Sequence, residues 1–161
     1  HYPLRRQRQM CIRDRAQRAA GDDSMVTQYL PHYAGSPIVC GQPEARSGAT
    51  GKHGFVAQAG HHLSPLPLSG DDELWDHLGA GFTLMNLTGD TILTEAFSSA
   101  AAARGAPLKT LDLAKTGLSA SYKAEAILVR PDHFIAWTGS HADADAARIL
   151  DHAIGKFGDD Q

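Results

Sequence analysis

Cysteine is scarce in this sequence, and long apolar runs are missing. Only Cys11 and Cys40 occur among the 161 residues, far apart and outside any CxxC pair. This spacing excludes a disulfide framework and a zinc ribbon, and it leaves two isolated thiols. No stretch approaches the roughly 20 apolar residues of a membrane span, and none near the start resembles a secretory signal. The chain is therefore predicted to be cytoplasmic, with no membrane partner.

Acidic residues are nearly missing from residues 1–18, which hold six arginines and one aspartate, Asp14. Such a basic arm can favour nucleic acid. The segment has neither an amphipathic period nor interleaved aromatic residues, however, and it resembles translated adapter or assembly sequence. Residues 1–20 are therefore predicted to be a disordered or artefactual tail, and no nucleic-acid partner is expected.

The motifs of several enzyme classes are also missing. GATGKHG, Gly48 to Gly54, is not a phosphate loop, because Gly48 lies too close to Lys52 and His53 stands where a hydroxyl residue is required. Ser36 lacks the GxSxG elbow of hydrolases. We therefore predict a flexible loop at GATGKHG and a turn at Ser36.

Nine histidines raise the question of a metal site. The nearest cluster in sequence is His53, His61, His62 and His77, but no pair has helical i, i+4 spacing and no Cys or Glu completes a ligand pattern. The histidines are therefore predicted to be solvated. The residues themselves assign no catalytic, cofactor-binding or metal-binding position.

Residues 21–68 are rich in Gly, Pro, Ser and His and lack sustained periodicity. They predict a long irregular, extended connector with short strands at most, at SPIV (Ser36 to Val39) and HGFVAQAG (His53 to Gly60). Such a segment is unusual in a compact domain, and it indicates packing against something larger.

Residues 69–161 carry the predicted helices. GDDELWDHLG predicts a short helix capped by Asp71 or Asp72 and ended by Gly79. An alanine-rich helix then ends at Gly105, and a closing helix begins after Asp143 or Asp145. The residues expected to share one face of the alanine-rich helix are Ile92, Ala96, Ala100 and Ala103.

Four strands complete this region, and their order with the helices is β-α-β, then β-β, then α. This order predicts an α/β fold, a thioredoxin-like sandwich whose first two strands are parallel through a right-handed crossover. The loop Leu87 to Thr91 has no cysteine, and Lys123 to Glu125 lacks the proline of active thioredoxins. Redox activity is therefore not expected. The predicted strands are Gly81 to Leu87, Pro107 to Leu113, Ala124 to Arg130 and His133 to Trp137.

LVRPDHFIAW, Leu128 to Trp137, sets a charged cluster between two apolar runs. Proline fixes φ for the second position of a type I turn, aspartate suits the third, and histidine tolerates positive φ at the fourth. We therefore predict a hairpin turn at Arg130 to His133 with a solvated tip. A catalytic role for the same residues is the alternative.

Several stretches resemble one enzyme family. LVRPDHFIAWTG, Leu128 to Gly139, is the most specific, and the region from Tyr29 to the end is similar to the C-terminal region of FAD-dependent aromatic-ring monooxygenases, the phenol hydroxylase and hydroxyphenylpropionate hydroxylase group. The other stretches that carry the resemblance are GAGFTLM, AAAARGAPLKTLDL, GHHLSPLPLSGDDELWDHLG and YAGSPIV.

The resemblance implies that an intact parent hydroxylates phenolic rings using FAD, NAD(P)H and oxygen. The family's GxGxxG fingerprint and its later flavin-contacting Gly-Asp segment are absent from this sequence. It further implies that residues 69–161 are a structural domain without redox cysteines, joined by residues 21–68 to a missing N-terminal flavin domain. Homodimer contacts are a second expected partnership, and no cofactor is expected on this chain. A free-standing, redox-inactive thioredoxin-like binding or dimerisation module is the alternative.

Overall fold

The computed structural model describes residues 29–41, 46–50, 54–69 and 72–156. The predicted tail at residues 1–20, Cys11, His53 and Asp71 lie outside the described residues. None of the described helices is both long enough and apolar enough to cross a membrane.

Two short antiparallel pairs of strands form before the central sheet, the first within the predicted connector and the second across its end. Strand β1 (Tyr29–His32) pairs with β2 (Gly48–Thr50), and β3 (Pro67–Ser69) pairs with β4 (Asp72–Glu73). The strands predicted at SPIV and within HGFVAQAG are wrong for the described residues. SPIV forms turns instead, because Ser36 N–H donates to the Tyr33 carbonyl at 2.9 Å.

A four-stranded mixed sheet forms the centre of the fold. Its strand order is β6-β5-β7-β8. Strands β5 and β6 run parallel, whereas β7 is antiparallel to both β5 and β8. The predicted order of these strands is confirmed, and the fold is α/β. The strands are β5 (Phe82–Asn86), β6 (Leu108–Asp112), β7 (Ala126–Val129) and β8 (Ile135–Gly139).

The helix predicted in GDDELWDHLG is shorter than expected and is a 3-10 helix, Leu74–His77. A cap by Asp72 is wrong, because Asp72 belongs to β4 and the residue before the helix is Glu73, which makes no side-chain cap. The Asp72 carboxylate instead lies 2.7 Å from His77 Nε2.

Helix α1 (Thr91–Arg104) connects β5 to β6 as predicted. The Asp90 side chain caps it by accepting the Leu93 N–H at 3.0 Å, and Gly105 ends it at a φ of 64°. A residue with a side chain is strained at this positive φ, which is why glycine ends the helix here.

The face of α1 that carries Ile92, Ala96, Ala100 and Ala103 is not the one that enters the core. Ile92 is 62% exposed. The face that enters the core begins one residue later and includes two bulky side chains, whose burial removes more apolar area from water than alanines can. Its buried residues are Leu93, Phe97 and Ala101.

Two further helices follow. Helix α2 (Leu118–Tyr122) was not predicted, because its five residues are too few to show a helical period. Helix α3 (Ala146–Ala153) is the predicted closing helix, and Asp145 caps it by accepting the Arg148 N–H at 3.0 Å. Arg104 of α1 binds Asp151 of α3 through two hydrogen bonds, of 2.7 and 2.6 Å.

The central sheet buries apolar side chains on both faces. One face packs against α1 and α3, and its core includes Phe82, Leu84 and Leu128. The opposite face, with Met85 and Ile127, packs against α2 and against residues 57–68 and 74–78. This second core includes Leu63 and Leu74, which are both fully buried. Part of the predicted connector therefore covers one side of the sheet.

Residues 60–63 also hydrogen-bond to the outer edge of β8. Gly60 N–H donates to the Ile135 carbonyl at 2.7 Å, and Ile135 N–H donates to the His61 carbonyl at 2.9 Å. Gly60 has a φ of 87°, and a Cβ there would lie 2.4 Å from the Ala34 backbone nitrogen. Only glycine permits this close approach. The boundary between residues 68 and 69 stays a prediction.

Candidate functional site

The turn between β7 and β8 has the predicted geometry. His133 N–H donates to the Arg130 carbonyl at 3.0 Å, and His133 has a φ of 65°. The Arg130 guanidinium forms an ion pair with the Asp132 carboxylate at 2.9 Å. The two charged side chains at the tip are therefore paired with each other within the turn.

Replacing Pro131 by alanine should lower the free energy of unfolding by about 0.4–1 kcal/mol, because proline restricts the unfolded chain at a φ that the turn requires. Urea unfolding of both proteins measures this difference. A role in turnover rather than structure would show as complete loss of activity, with an intact fold, when the same proline is changed in a full-length relative.

The side chains beside this turn form a continuous group of rings, which we call the aromatic–histidine cluster: Tyr33, His62, Trp75, His133 and Phe134. Phe134 contacts Tyr33 at a centroid distance of 4.8 Å and His62 at 5.1 Å. Trp75 lies 5.3 Å from His62 and 5.1 Å from His133. His133 is thus half-buried among rings, so the tip is less solvated than predicted.

The histidines weighed as metal ligands are split between separate places. His61 stacks face to face on His32, with centroids 4.7 Å apart. His62 lies in the aromatic–histidine cluster, and His77 pairs with Asp72. Within the described residues, no group of three or more His, Cys, Asp or Glu side chains could hold a metal ion.

Burial lowers the pKa values of two of these rings. Burial lowers the pKa of His61 below its ordinary 6.5, and the neighbouring His32 lowers the pKa further. Burial also lowers the pKa of His62, with His133 acting in the same direction. The hydrogen bond to the Leu63 carbonyl and the charge of Asp132 raise the pKa of His62, but less strongly.

The lowered pKa values predict a loss of stability in acid. The folded chain keeps His61 and His62 neutral to a lower pH than the unfolded chain, which protonates them as the pH falls through their ordinary pKa of 6.5. The free energy of unfolding should be fully retained above that pH and should fall below it. Urea unfolding at about pH 7.5 and about pH 5.5 measures the loss.

The double variant H61Q/H62Q should reduce this acid loss. The matched control is H141Q, because the His141 side chain is 51% exposed. An acid loss that is unchanged in the double variant would contradict the assignment to these two rings.

The loop from β5 to α1 is organised by one buried side chain, Asn86. Its Oδ1 accepts N–H groups from Thr88, Gly89 and Asp90, at 3.3, 2.8 and 3.1 Å. Its Nδ2 donates to the Asp90 carbonyl at 2.8 Å and to Thr94 Oγ1 at 3.0 Å. The buried Asn86 side chain therefore supplies hydrogen-bond partners for the backbone groups of this loop.

This loop offers little to a ligand. Backbone N–H groups at the start of a helix can bind a phosphate, but here three of them already donate to Asn86, and the Asp90 carboxylate caps the helix. The loop also has no cysteine, which a thioredoxin-type reaction requires.

Three other features considered in the sequence analysis are Cys40, Ser36 and the GATGKHG loop. Burial raises the pKa of the Cys40 thiol, and Arg148 lowers it to a smaller extent. Cys40 is buried and not in a disulfide. Ser36 lies in a turn, as predicted. The predicted flexible loop GATGKHG begins in strand β2, and residues 51–53 lie outside the described residues.

Tyr122 attaches the upstream segment to the domain. It is fully buried in α2, its hydroxyl donates to the Ser64 carbonyl at 2.6 Å, and its own carbonyl accepts the Ala57 N–H at 2.9 Å. Burial raises the pKa of the Tyr122 hydroxyl. Neither Tyr122 nor the loop-forming Asn86 was singled out from the sequence, because their partners are set by the tertiary fold.

The comparisons with known proteins identify the class. The family model described as "Aromatic-ring hydroxylase, C-terminal" matches residues 57–157. The chain therefore belongs to the family of C-terminal domains of aromatic-ring hydroxylases, and the predicted resemblance is confirmed.

Individual relatives agree with this assignment. Aklavinone 12-hydroxylase RdmE of Streptomyces purpurascens is 32% identical over 123 residues. Among solved structures, the substrate-free form of the rebeccamycin biosynthetic enzyme RebC is similar with a TM-score of 0.67 and 28% identity, over 92% of this chain. RebC with bound 7-carboxy-K252c has a TM-score of 0.65 and 34% identity, over 76% of this chain. RebC has also been solved with reduced flavin.

The chain spans a minor part of each relative. Its match covers 21% of RdmE, 26% of substrate-free RebC and 23% of RebC with 7-carboxy-K252c.

Proposed function

We propose that this chain is the C-terminal structural domain of a flavoprotein monooxygenase that hydroxylates phenolic aromatic substrates using FAD, NAD(P)H and oxygen. The family match over residues 57–157 supports the parent class. The small share of RdmE and RebC that the chain covers supports a division in which flavin and substrate are bound by a larger upstream part. In this proposal the chain alone is inactive.

The observation that carries the structural role is the loop held by Asn86. A bound FAD needs backbone N–H groups and a helix N-terminus for its pyrophosphate. At the crossover from β5 to α1, those N–H groups donate to Asn86 and a carboxylate stands at the helix start. The residues at this loop do not fit the cofactor, so no step of the reaction is assigned to them.

The finer fold is proposed to be thioredoxin-like. The strand order β6-β5-β7-β8, with β6 parallel to β5, supports it, as does the packing of α1 and α3 on one face. The loop without cysteine supports a domain of this type that does not perform redox chemistry.

The domain division and the partners complete the proposal. Residues 69–161 are the thioredoxin-like domain, and residues 21–68 connect it to the flavin domain of the same protein while also covering the sheet with Leu63. Homodimer contacts are a second partnership, and neither nucleic acid nor membrane is expected to bind.

Titration of the purified chain with FAD tests this proposal. Flavin fluorescence should stay unquenched at micromolar FAD, and the purified chain should be colourless. The full-length protein, expressed with the sequence upstream of residue 1, is the positive control and should bind FAD. Stoichiometric quenching by the 161-residue chain would place the cofactor site in these residues and overturn the structural role.

A further inference from the structure

Exposed large apolar side chains are concentrated upstream of the family region. Tyr33, Phe55 and Val56 are 49%, 57% and 43% exposed, and all three precede residue 57. Within residues 57–157, Ile92 is the one side chain of this kind among those that the structure describes. Scattered single exposures are ordinary, but the exposed Tyr33 also makes a ring contact with Phe134 of the domain.

The aromatic–histidine cluster links the exposed Tyr33 to the domain. The Tyr33 ring lies on Phe134, Phe134 contacts His62, and His62 contacts Trp75. These rings are half-buried to exposed, so one side of the group faces outwards. Aromatic side chains are enriched in the centres of protein interfaces, because they bury a large area with little loss of rotamer freedom.

The same region contains unpaired buried nitrogen atoms. Among the described side chains, His32 Nδ1 and Trp75 Nε1 are buried without a hydrogen-bond partner. Trp75 belongs to the aromatic–histidine cluster, and His32 immediately precedes Tyr33. Proteins pair nearly all of their buried polar atoms, so these two nitrogens are exceptions among the described side chains.

We propose that the aromatic–histidine cluster is the surface on which the upstream, flavin-binding part of the same polypeptide packs. This inference rests on the proposed function. The matched family model describes a C-terminal domain, and the chain covers 23% of RebC. The rest of such a protein therefore lies upstream of Tyr29, close in sequence to Tyr33. This position makes the upstream part the proposed binding partner of the cluster. Because both parts belong to one polypeptide, each is present at a raised effective concentration near the other.

Hydroxyl-radical footprinting tests the assignment in two proteins, the 161-residue chain and the full-length protein that includes the sequence upstream of residue 1. Labelling of Tyr33, Trp75 and Phe134 should fall several-fold in the full-length protein. Labelling of Ile92, which lies on α1, should stay the same. The unmodified proteins give this result without any substitution that could disturb folding.

Two matched variants of the full-length protein sharpen the test. Y33E places a charge in the proposed interface and should return the labelling of Trp75 and Phe134 to the level of the isolated chain. I92E adds the same charge at an exposed position outside the cluster and should leave the labelling reduced.

The possible results distinguish a failure of the proposed docking surface from a failure of the proposed function. A full-length protein that binds FAD but leaves Tyr33, Trp75 and Phe134 fully labelled overturns the docking surface and leaves the proposed function intact. A full-length protein that binds no FAD overturns the proposed function. If the isolated chain protects the cluster by forming dimers in sedimentation, a second copy is the occupant and the inference is wrong.

Discussion

Replacing Leu63 by alanine is expected to lower the free energy of unfolding by about 2–5 kcal/mol, the range for large-to-small changes in a packed core. Leu63 is fully buried in the core on the α2 side of the sheet, and its N–H donates to the His133 carbonyl at 2.8 Å. The substitution removes apolar contacts and leaves a cavity, because the backbone at this position is held in place. Chemical denaturation measures the change.

Val56→Ala is the matched control for this prediction. Val56 is also upstream of residue 69 but is 43% exposed, so its truncation should change stability by less than about 0.5 kcal/mol. If L63A were as mild as the control, residues 60–63 would be an attached segment and not a part of the core.

Asn86→Ala should have the second largest effect, a loss of about 2–4 kcal/mol. The substitution removes the acceptor of three backbone N–H groups and both donors to the start of α1. Each buried group left without a partner costs about 1–3 kcal/mol, and water entering at the exposed Gly89 recovers part of that. Thermal or urea unfolding measures the difference.

Thr88→Ala serves as the control for Asn86, because it lies in the same loop, is exposed, and keeps the N–H that donates to Asn86. It should be nearly neutral. A similarly small effect of N86A would mean that solvent replaces the amide, and the loop would then be open to ligands after all.

The sequence was most informative where local chemistry decides the structure. Gly105 ends α1 and Asp145 caps α3, and the turn at Arg130 to His133 follows from the φ preferences of proline and histidine. Strands β5 and β7 are buried on both faces, and this makes short apolar runs that are readily recognised.

Features that depend on distant partners were missed. Residues 60–63 lack a strand pattern, because their hydrogen bonds go to β8 and their packing depends on the whole sheet. The buried face of α1 was not predicted, because alanines occur on all sides of the helix and only the fold selects Phe97 for burial. The aromatic–histidine cluster joins four separate parts of the chain, and no spacing within one of them indicates the contact.

The covering of the α2 side of the sheet by residues 57–68 and 74–78 has a consequence for how the protein is made. These residues leave the ribosome before the strands of the central sheet, and the strand edge that they bind, at His133 to Ile135, is synthesised much later. The side chains of Leu63 and Leu74 therefore remain unburied while α1 and β5 to β7 are synthesised. Contacts between distant parts of a chain form slowly, and uncovered apolar segments favour aggregation in the meantime. Translation of the final hairpin completes this side of the domain.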